Sequence, residues 1–320
     1  MLLGLVLAAG WLVGVLTKPA RTLRAPRQVI IQAGESAASV AGRLAHQGII
    51  GSPLAFRLAA RLGGRWSQVR QGTYLVRPGM SVLGILDLLA SGQVEQLRLT
   101  IPEGWTVRQV SELLARHGLE GFPAVVGAVN RYPPGLPLPP DGRLEGYLFP
   151  DTYQVGANPE AARALADKML QRFEQLVWRG LLGGQPPQGG RSLHELMTLA
   201  SLVEAEAKAP RERALIAGVL LNRLRRGQRL ECDATVQYAL GERRGRLLYS
   251  DLAVDSPYNT YQHQGLPPGP ICNPGLTSIQ AALHPAAVPY LYYVARPDGG
   301  HVFSRTYQEH LAAVRAVRGR

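Results

Sequence analysis

The chain has 320 residues and a mass of 34.7 kDa, enough for about two domains with cores of their own. Its 46% hydrophobic and 18% charged residues exclude a disordered chain, collagen and a coiled coil. The net charge of +12 fits an anionic partner or a membrane surface, but the arginines are scattered and only 7% of residues are aromatic, so we expect no nucleic-acid binding.

The first element is an uncharged apolar run from Met1 to Leu16. As a helix it is about 24 Å long, slightly shorter than the ~30 Å hydrocarbon core of a bilayer. A membrane anchor, a cleaved signal peptide and a buried core helix all fit such a run. Because no cleavage site follows, we predict a transmembrane anchor over residues 1–17 and a polar tether over 18–27. Basic residues after the run favour a cytoplasmic location for the rest of the chain, but we set this signal aside because a basic leader upstream of Met1 would reverse it.

A repeat with an offset of 70 residues follows the tether. Its matching positions are Ile31, Gly34, Ser36, Val40, Leu44, Gly48 and Ile49 in the first copy, and Ile101, Gly104, Thr106, Val110, Leu114, Gly118 and Leu119 in the second. Each copy has the pattern of a short strand, a glycine turn, a Ser or Thr helix cap, an apolar helix face and a glycine stop. The sequence therefore predicts two related β-α units.

The first copy resembles the LysM-like unit, which holds N-acetylglucosamine chains in cell-wall proteins; a structural spacer is the alternative. Between the copies, the pattern predicts helices over 52–60 and 81–90 and a strand over 71–76. We therefore predict an α+β fold, with a LysM-like α+β domain over residues 28–96 and a mixed α+β domain over 97–320. A proline-rich segment over 131–142 and a glycine-rich segment over 181–191 are interpreted as connections.

Ser192 and Glu195 form a capping-box pattern, which predicts that a helix starts there with a defined register. At about 100° per residue, Glu204 falls in the middle of the apolar face of this helix, whereas Glu206 points away from it, toward water beside Glu195. Apolar neighbours disfavour the charged form of a carboxyl group, so Glu204 is a candidate general acid. The alternative is a structural role, in which Glu204 is the buried partner of Arg213 or Arg223.

A second helix is predicted over 211–226, with Pro210 in its first turn and Gly227 at its end. The residues that follow include aromatic rings beside amides and hydroxyls, which suit the apolar face and hydroxyl rim of a sugar. We predict that eight residues contact a glycan: Asn222, Arg223, Gln237, Tyr238, Tyr258, Asn259, Thr260 and Tyr261.

The stretch LASLVEAEA, with DATVQY, SPYNTYQHQGLPPGPICNPG, AALHP and YLYYVA after it, resembles the YceG-like family of endolytic murein transglycosylases. The resemblance is densest over residues 144–315 and reaches back through LEGYLFPDTY and IPEG at residues 101–104 to the LysM-like unit. Departures are modest: Ala234 stands where the family often has proline, and two cysteines, Cys232 and Cys272, stand where cysteine is unusual.

The resemblance implies that Glu204 is the catalytic residue and that the substrate is a nascent peptidoglycan strand, cut internally at the bond between N-acetylmuramic acid and N-acetylglucosamine. It also implies an enzyme held by one span in the cell (inner) membrane, with its catalytic domain outside the cytoplasm, working with wall-elongation synthases. Since no second inward carboxylate is evident from the sequence, we expect Glu204 to act alone as acid and then base, giving a 1,6-anhydro product. The competing interpretation is a non-catalytic, membrane-tethered wall-binding protein.

Neither cysteine belongs to a CxxC or Cys/His pattern, so we expect no metal and no cofactor. The sequence leaves two states open for the cysteines: a disulfide in an oxidising compartment, or two buried thiols.

Overall fold

The computed structural model describes residues 10, 14–17, 23–62, 64–127, 135–137, 139–241, 245 and 247–319. It divides the chain into two compact units, Met1–Leu99 with Gln154–Ala161, and Thr100–Tyr153 with Ala162–Arg320. Most of the predicted anchor over 1–17, and part of the tether over 18–27, lie outside the described residues. Within the described ranges, no helix combines the length and the apolar character that crossing a bilayer requires.

The first unit is built on a small antiparallel sheet covered by helices. Its elements are β1 (Arg27–Ile31), α1 (Ala37–His46), α2 (Pro53–Leu62), a 3-10 turn (Arg65–Gln68), β2 (Gly72–Val76), α3 (Val82–Ser91), β3 (Gln96–Thr100) and β4 (Thr152–Gly156), which pairs with β3. In the sheet, Arg27 lies opposite Val76 and Ile31 opposite Gly72. Fully buried Val40, Leu44, Phe56, Tyr74 and Leu86 fill the core of this unit. The helices and the strand predicted between the repeat copies are confirmed.

The two repeat copies have the same local conformation. Ser36 Oγ accepts a hydrogen bond from the Ser39 amide (3.2 Å), and Thr106 Oγ1 accepts one from the Gln109 amide (3.3 Å). The preceding glycines adopt left-handed backbone, with φ of 70° at Gly34 and 76° at Gly104, which favours glycine over residues with a Cβ. The prediction of two strand-turn-helix units is therefore confirmed.

The second unit is mainly helical. Its elements are α4 (Val107–Arg116), α5 (Phe122–Gly127), α6 (Ala161–Phe173) with a π-helical continuation (Glu174–Leu181), α7 (Leu193–Glu206), a 3-10 turn (Pro210–Glu212), α8 (Arg213–Arg225), α9 (Asp233–Leu240), a 3-10 turn (Asp251–Ala253), α10 (Leu276–Leu283), β5 (Tyr292–Ala295), β6 (His301–Ser304) and α11 (Tyr307–Arg318). The two-stranded sheets and surrounding helices confirm the mixed α+β class.

Helix α7 is the centre of the second unit and packs against α8 and α10. Its capping box forms as predicted, with the Glu195 amide donating to Ser192 Oγ (3.1 Å) and the Ser192 amide donating to the Glu195 carboxylate (2.7 Å). Every residue from Leu196 to Val203 on this helix is buried. The helix is thus enclosed on most sides, rather than buried along a single face as its sequence pattern predicts.

Candidate functional site

Glu204 lies in the last turn of α7, and its side chain is only 8% exposed. One carboxylate oxygen accepts a hydrogen bond from the Gly275 amide at 2.9 Å, and the other lies 3.5 Å from Nη2 of Arg213 at the start of α8. Arg213 also donates from Nε to Ser278 Oγ on α10 at 2.8 Å. Three helices of the second unit therefore meet at this carboxylate.

The predicted structural partner of Glu204 is thus present, and it is Arg213 and not Arg223. Arg223 donates instead to backbone carbonyls and to the Glu231 carboxylate, the latter at 3.1 Å. The contact of Arg213 with Glu204 is single and long, whereas a bidentate pair makes two short, parallel hydrogen bonds. Arg213 and the Gly275 amide therefore both direct hydrogen-bond donors at the Glu204 carboxyl group.

A second carboxyl group, Glu103, lies at the same place, which the sequence analysis missed. Glu103 is exposed, and its carboxylate packs so closely on Gly275 that a methyl group added to that glycine would overlap it. Partial burial, together with the negative charge of Glu204, raises the pKa of Glu103, although Arg213 opposes the shift. Glu204 is therefore accompanied by a second, exposed carboxyl group: Gly275 has Glu204 on its amide and Glu103 against its Cα.

The two repeat copies differ at the position of Glu103, and this difference could have identified it. At the offset of 70 residues, Glu103 matches Ala33, so the second copy carries a carboxyl group at the turn where the first copy has a methyl group. Gly104, which follows, lies beside the aliphatic part of Glu204, because a Cβ added to it would be 3.6 Å from Glu204 Cγ.

Asn273 fixes the loop that carries Glu103. Its backbone pairs with that loop in both directions, accepting from the Gly104 amide and donating to the Trp105 carbonyl, each at 2.9 Å. Its fully buried side chain accepts from the amides of Gly146 (2.8 Å) and Leu148 (3.1 Å) and donates to the Trp105 carbonyl (2.9 Å). Asn273 is two residues from Gly275, so one short segment holds the surroundings of both carboxyl groups.

Glu145 contacts both Asn273 and the start of α4. It is buried, accepts hydrogen bonds from the Val107 amide at the start of α4 (3.0 Å) and from the side chain of Asn273 (3.1 Å), and is also bonded to Tyr238. Burial raises the pKa of Glu145 to about 8, more than these hydrogen bonds lower it. Glu145 therefore holds a proton near neutral pH, in a structural position.

The prediction that Glu206 is solvated beside Glu195 is wrong. Tyr293 on β5 donates a hydrogen bond to the Glu206 carboxylate at 3.1 Å. Burial raises the pKa of Glu206 to about 7, while the bond to Tyr293 opposes the shift. The reason is that the β5–β6 hairpin covers the side of α7 that its sequence pattern assigns to water.

The predicted glycan contacts after α9 are mostly engaged within the fold. Asn259 is fully buried and donates to the carbonyls of Leu252 and Val254, both at 2.9 Å. Thr260 is 2% exposed and accepts from the Cys232 amide at 3.0 Å. These two side chains therefore hold their loop together, and the predicted contact with a glycan does not follow for them.

The tyrosines of this region also have partners within the fold. Tyr238 on α9 packs against Tyr258 with ring centroids 4.9 Å apart, and Tyr258 is 8% exposed. Tyr261 is half-buried and donates to the Asp233 carboxylate at 2.6 Å.

The remaining predicted contacts lie on α8 and α9. Asn222 donates to the carbonyls of Val288 (2.6 Å) and Tyr290 (3.0 Å), which ties α8 to the segment leading into β5. Arg223 donates a hydrogen bond from Nε to the Leu291 carbonyl of the same segment (2.8 Å). Gln237 is half-buried on α9. Asn222 and Arg223 therefore have structural partners, and the prediction that they orient a glycan is not supported by their geometry.

Both cysteines are buried and lie outside any disulfide bond. The thiol of Cys232 lies 3.7 Å from the Leu230 carbonyl, and that of Cys272 lies 3.5 Å from the Ser201 carbonyl on α7. Of the two states that the sequence leaves open, the structure has the pair of buried thiols.

Comparison with known proteins identifies the family. The sequence profile of the YceG-like family matches residues 29–316, which is most of the chain. The chain belongs to the YceG-like family. The resemblance seen in the motifs around Glu204 is therefore confirmed, and it extends over both compact units.

Two similar proteins are named as enzymes. An endolytic murein transglycosylase of Bacillus subtilis is 33% identical over 296 residues, covering 88% of this chain and 81% of the relative. One of Streptococcus pneumoniae is 31% identical over 311 residues, covering 87% of this chain but only 56% of the longer relative. The prediction of an enzyme is confirmed by these relatives.

A solved structure supports the fold. The crystal structure of a YceG-like protein from Listeria monocytogenes matches with a TM-score of 0.60 and 31% identity, covering 90% of this chain and 98% of that one. The YceG-like architecture thus spans nearly the whole chain.

Proposed function

We propose that this YceG-like protein is an endolytic lytic transglycosylase that cleaves the β-1,4 bond between N-acetylmuramic acid and N-acetylglucosamine in nascent glycan strands. The observation that carries the proposal is the Glu204 carboxylate, enclosed at the end of α7 yet flanked by the exposed carboxyl group of Glu103. Paired carboxyl groups in different surroundings are the usual means of glycosidic bond cleavage.

In the proposed reaction, Glu204 is the catalytic residue. It donates its proton to the glycosidic oxygen as the bond to C1 of the muramyl sugar breaks. The resulting carboxylate then takes the proton of that sugar's C6 hydroxyl while the C6 oxygen bonds to C1. The products are a 1,6-anhydro-muramyl end and a free hydroxyl on the neighbouring sugar. Water is not consumed, so the reaction is that of a lyase.

Glu103 supports this cycle by sharing charge with Glu204. Two adjacent carboxyl groups resist being ionised together, and the charge of Glu204, with partial burial, raises the pKa of Glu103. Arg213 and the Gly275 amide stabilise Glu204 once it has given up its proton, and Glu103, when charged, offsets the positive charge that develops on the sugar.

The test is Glu204→Gln, which keeps the shape of the side chain and removes its proton chemistry. We expect a loss of about 10²- to 10⁴-fold in the release of anhydro-muramyl ends from purified peptidoglycan, with the melting temperature little changed. Glu112→Gln is the matched control, since Glu112 is 53% exposed on α4, where it faces Arg108. Full activity in the Glu204→Gln protein would refute the assignment.

Mass spectrometry of the products separates the lyase from a hydrolase. The comparison is needed because Glu103 is a second carboxylate beside Glu204. A hydrolase uses a second carboxylate to activate water or to form a covalent intermediate. A hydrolysed end is heavier by one water than an anhydro end. Mainly hydrated ends would replace the proposed lyase with a hydrolase that uses the same two residues.

The alternative function is a non-catalytic wall-binding protein in which Glu204 is structural, and the contact of Arg213 with Glu204 favours it. In that case Glu204→Gln would leave Arg213 unpaired and lower the melting temperature, and glycan strands would bind without being cut. Sedimentation with insoluble peptidoglycan, followed by product analysis, distinguishes the two functions.

We also propose a setting for the reaction. Residues 1–17 anchor the chain in the cell membrane, residues 28–96 form a LysM-like module that holds the glycan, and residues 97–320 form the catalytic domain outside the cytoplasm beside wall-elongation synthases. The apolar run that ends at Leu16 and the strand-turn-helix form of the first repeat copy support this arrangement. Phosphatase and fluorescent-protein fusions at the carboxyl end would test the orientation, and release of the protein by salt alone would refute the anchor.

A further inference from the structure

An open groove of about 420 Å³ lies in the second unit. It is lined by the π-helical end of α6, the start of α8 and one face of α10, including Arg211, Arg213, Ala214, Thr277, Gln280 and Ala281. We call it the cationic groove. Arg213 belongs both to this groove and to the carboxyl pair, because its Nη2 faces Glu204.

The charged side chains that line the cationic groove are those of Arg211 and Arg213, and Arg213 is paired with Glu204. Two arginines and a histidine line it, and no carboxylate is among the described residues that do so. Arg211 is exposed and forms no ion pair with any described part of the chain. Beside it, the side chains of Thr277 and Gln280 are exposed and offer hydrogen bonds, while Ala214 and Ala281 provide an apolar floor. Such a lining suits a carboxylate on a short aliphatic segment.

We infer that the cationic groove binds a carboxylate of the peptide carried by the muramyl sugar that is cut. This inference rests on the proposed function. The sugars of the strand are neutral, so the negative charge of a peptide-bearing strand lies on its peptides. A muramyl unit placed with its glycosidic oxygen at Glu204 has its peptide attached to the same ring, within reach of a groove that shares Arg213 with the site. The groove then selects strands whose peptides are still in place.

The experiment compares two substrates: peptide-bearing glycan strands, and the same strands after their peptide carboxylates have been converted to amides. The quantity measured is the ratio of kcat/KM for release of anhydro ends from the first and second substrates. We expect Arg211→Ala to lower this ratio about two- to fivefold, mainly through KM on the strands with free carboxylates, as the loss of one exposed charge-assisted contact predicts. Arg211→Lys should recover at least half of the loss.

Arg226→Ala is the control, because Arg226 is an exposed arginine just beyond the other end of α8. It should leave the ratio as it is in the unaltered protein, and raising the salt concentration should shrink the effect of Arg211→Ala. An unaltered protein that cuts both substrates equally well, or a ratio unmoved by Arg211→Ala, would overturn the inference alone. Failure of the unaltered protein to release anhydro ends from either substrate would overturn the proposed function and the inference with it.

Discussion

Gly275→Ala separates the two carboxyl groups with a single methyl group. Gly275 has φ −74° and ψ 166°, a conformation that alanine adopts freely, so the backbone can stay in place. The added Cβ would overlap Oε1 and Cδ of Glu103, and even Oε2 would lie only 2.6 Å from it, where ordinary contact begins at 3.4 Å. Because Glu103 is exposed and flexible, its carboxylate should swing away, while the Gly275 amide still donates to Glu204.

The expected effect on stability is small. Alanine is poorer than glycine at a helix N-cap by about 0.5–1 kcal/mol, but it restricts the unfolded chain by about 0.4–1 kcal/mol, and the two terms nearly cancel. The effect on activity should be larger. Moving a working group by about 1 Å can cost up to ~10²-fold in rate, so we expect a loss approaching that in kcat for anhydro-end release.

The assay is turnover of peptidoglycan strands by four proteins: unaltered, Gly275→Ala, Glu103→Gln and the double variant. If Gly275→Ala acts by displacing Glu103, it should add little to Glu103→Gln, because the function of the carboxylate is already lost. Gly51→Ala, which places a methyl group in open space, controls for the substitution itself. Independent, multiplying losses in the double variant, or full activity in Gly275→Ala, would refute the reasoning.

Three further predictions concern stability. Burial raises the pKa of Glu145 to about 8 from an ordinary 4.5, so the folded state keeps a proton that the unfolded chain releases. The contribution of this proton to the free energy of unfolding is fully present below pH 4.5 and is lost as the pH rises through 8. Glu145→Gln should therefore reduce the difference in the free energy of unfolding between pH 5 and pH 9, measured by urea denaturation. An unchanged difference would contradict this prediction. Asn273→Ala should cost about 3 kcal/mol, because it leaves the buried amides of Gly146 and Leu148 without an acceptor; a cost below ~1 kcal/mol in the same denaturation experiment would show that water replaces the side chain. Gly218→Ala on α8 should cost about 1–3 kcal/mol, since its methyl group would overlap the Ala286 carbonyl, whereas Gly42→Ala on α1, in open space, should stabilise by up to ~1 kcal/mol; calorimetric melting compares the pair.

Local signals in the sequence predicted the elements of the fold well. Ser192 with Glu195, Ser36, and Thr106 each start a helix where the pattern of cap and apolar residues says they should. The inward direction of Glu204 also followed from helical geometry alone, because the capping box set the register of α7. These helix starts and side-chain directions depend on residues within one or two turns of each other. Such local interactions can be predicted from a single sequence.

Features that depend on distant segments were not predictable in this way. Glu103 and Glu204 are 101 positions apart, and what joins them is the backbone of Gly275, a third distant segment. Glu206 points away from the apolar face of α7 but is covered by a hairpin that starts at Tyr292. Asn259 is a residue type that commonly contacts sugars, but its side-chain amide donates to two carbonyls of its own loop. In each case a long-range contact decided the role of the side chain.

The repeated strand-turn-helix unit makes one chemical comparison possible inside a single molecule. Ala33 and Glu103 occupy equivalent positions before glycines of nearly equal φ, so the backbone at both turns tolerates either side chain. Ala33→Glu would therefore install a carboxylate on a duplicate frame, where no described contact supplies a counterpart of Glu204, Arg213 or Gly275. The role proposed for Glu103 thus depends on these three residues, and a gene duplication that copied the frame alone would not copy that role.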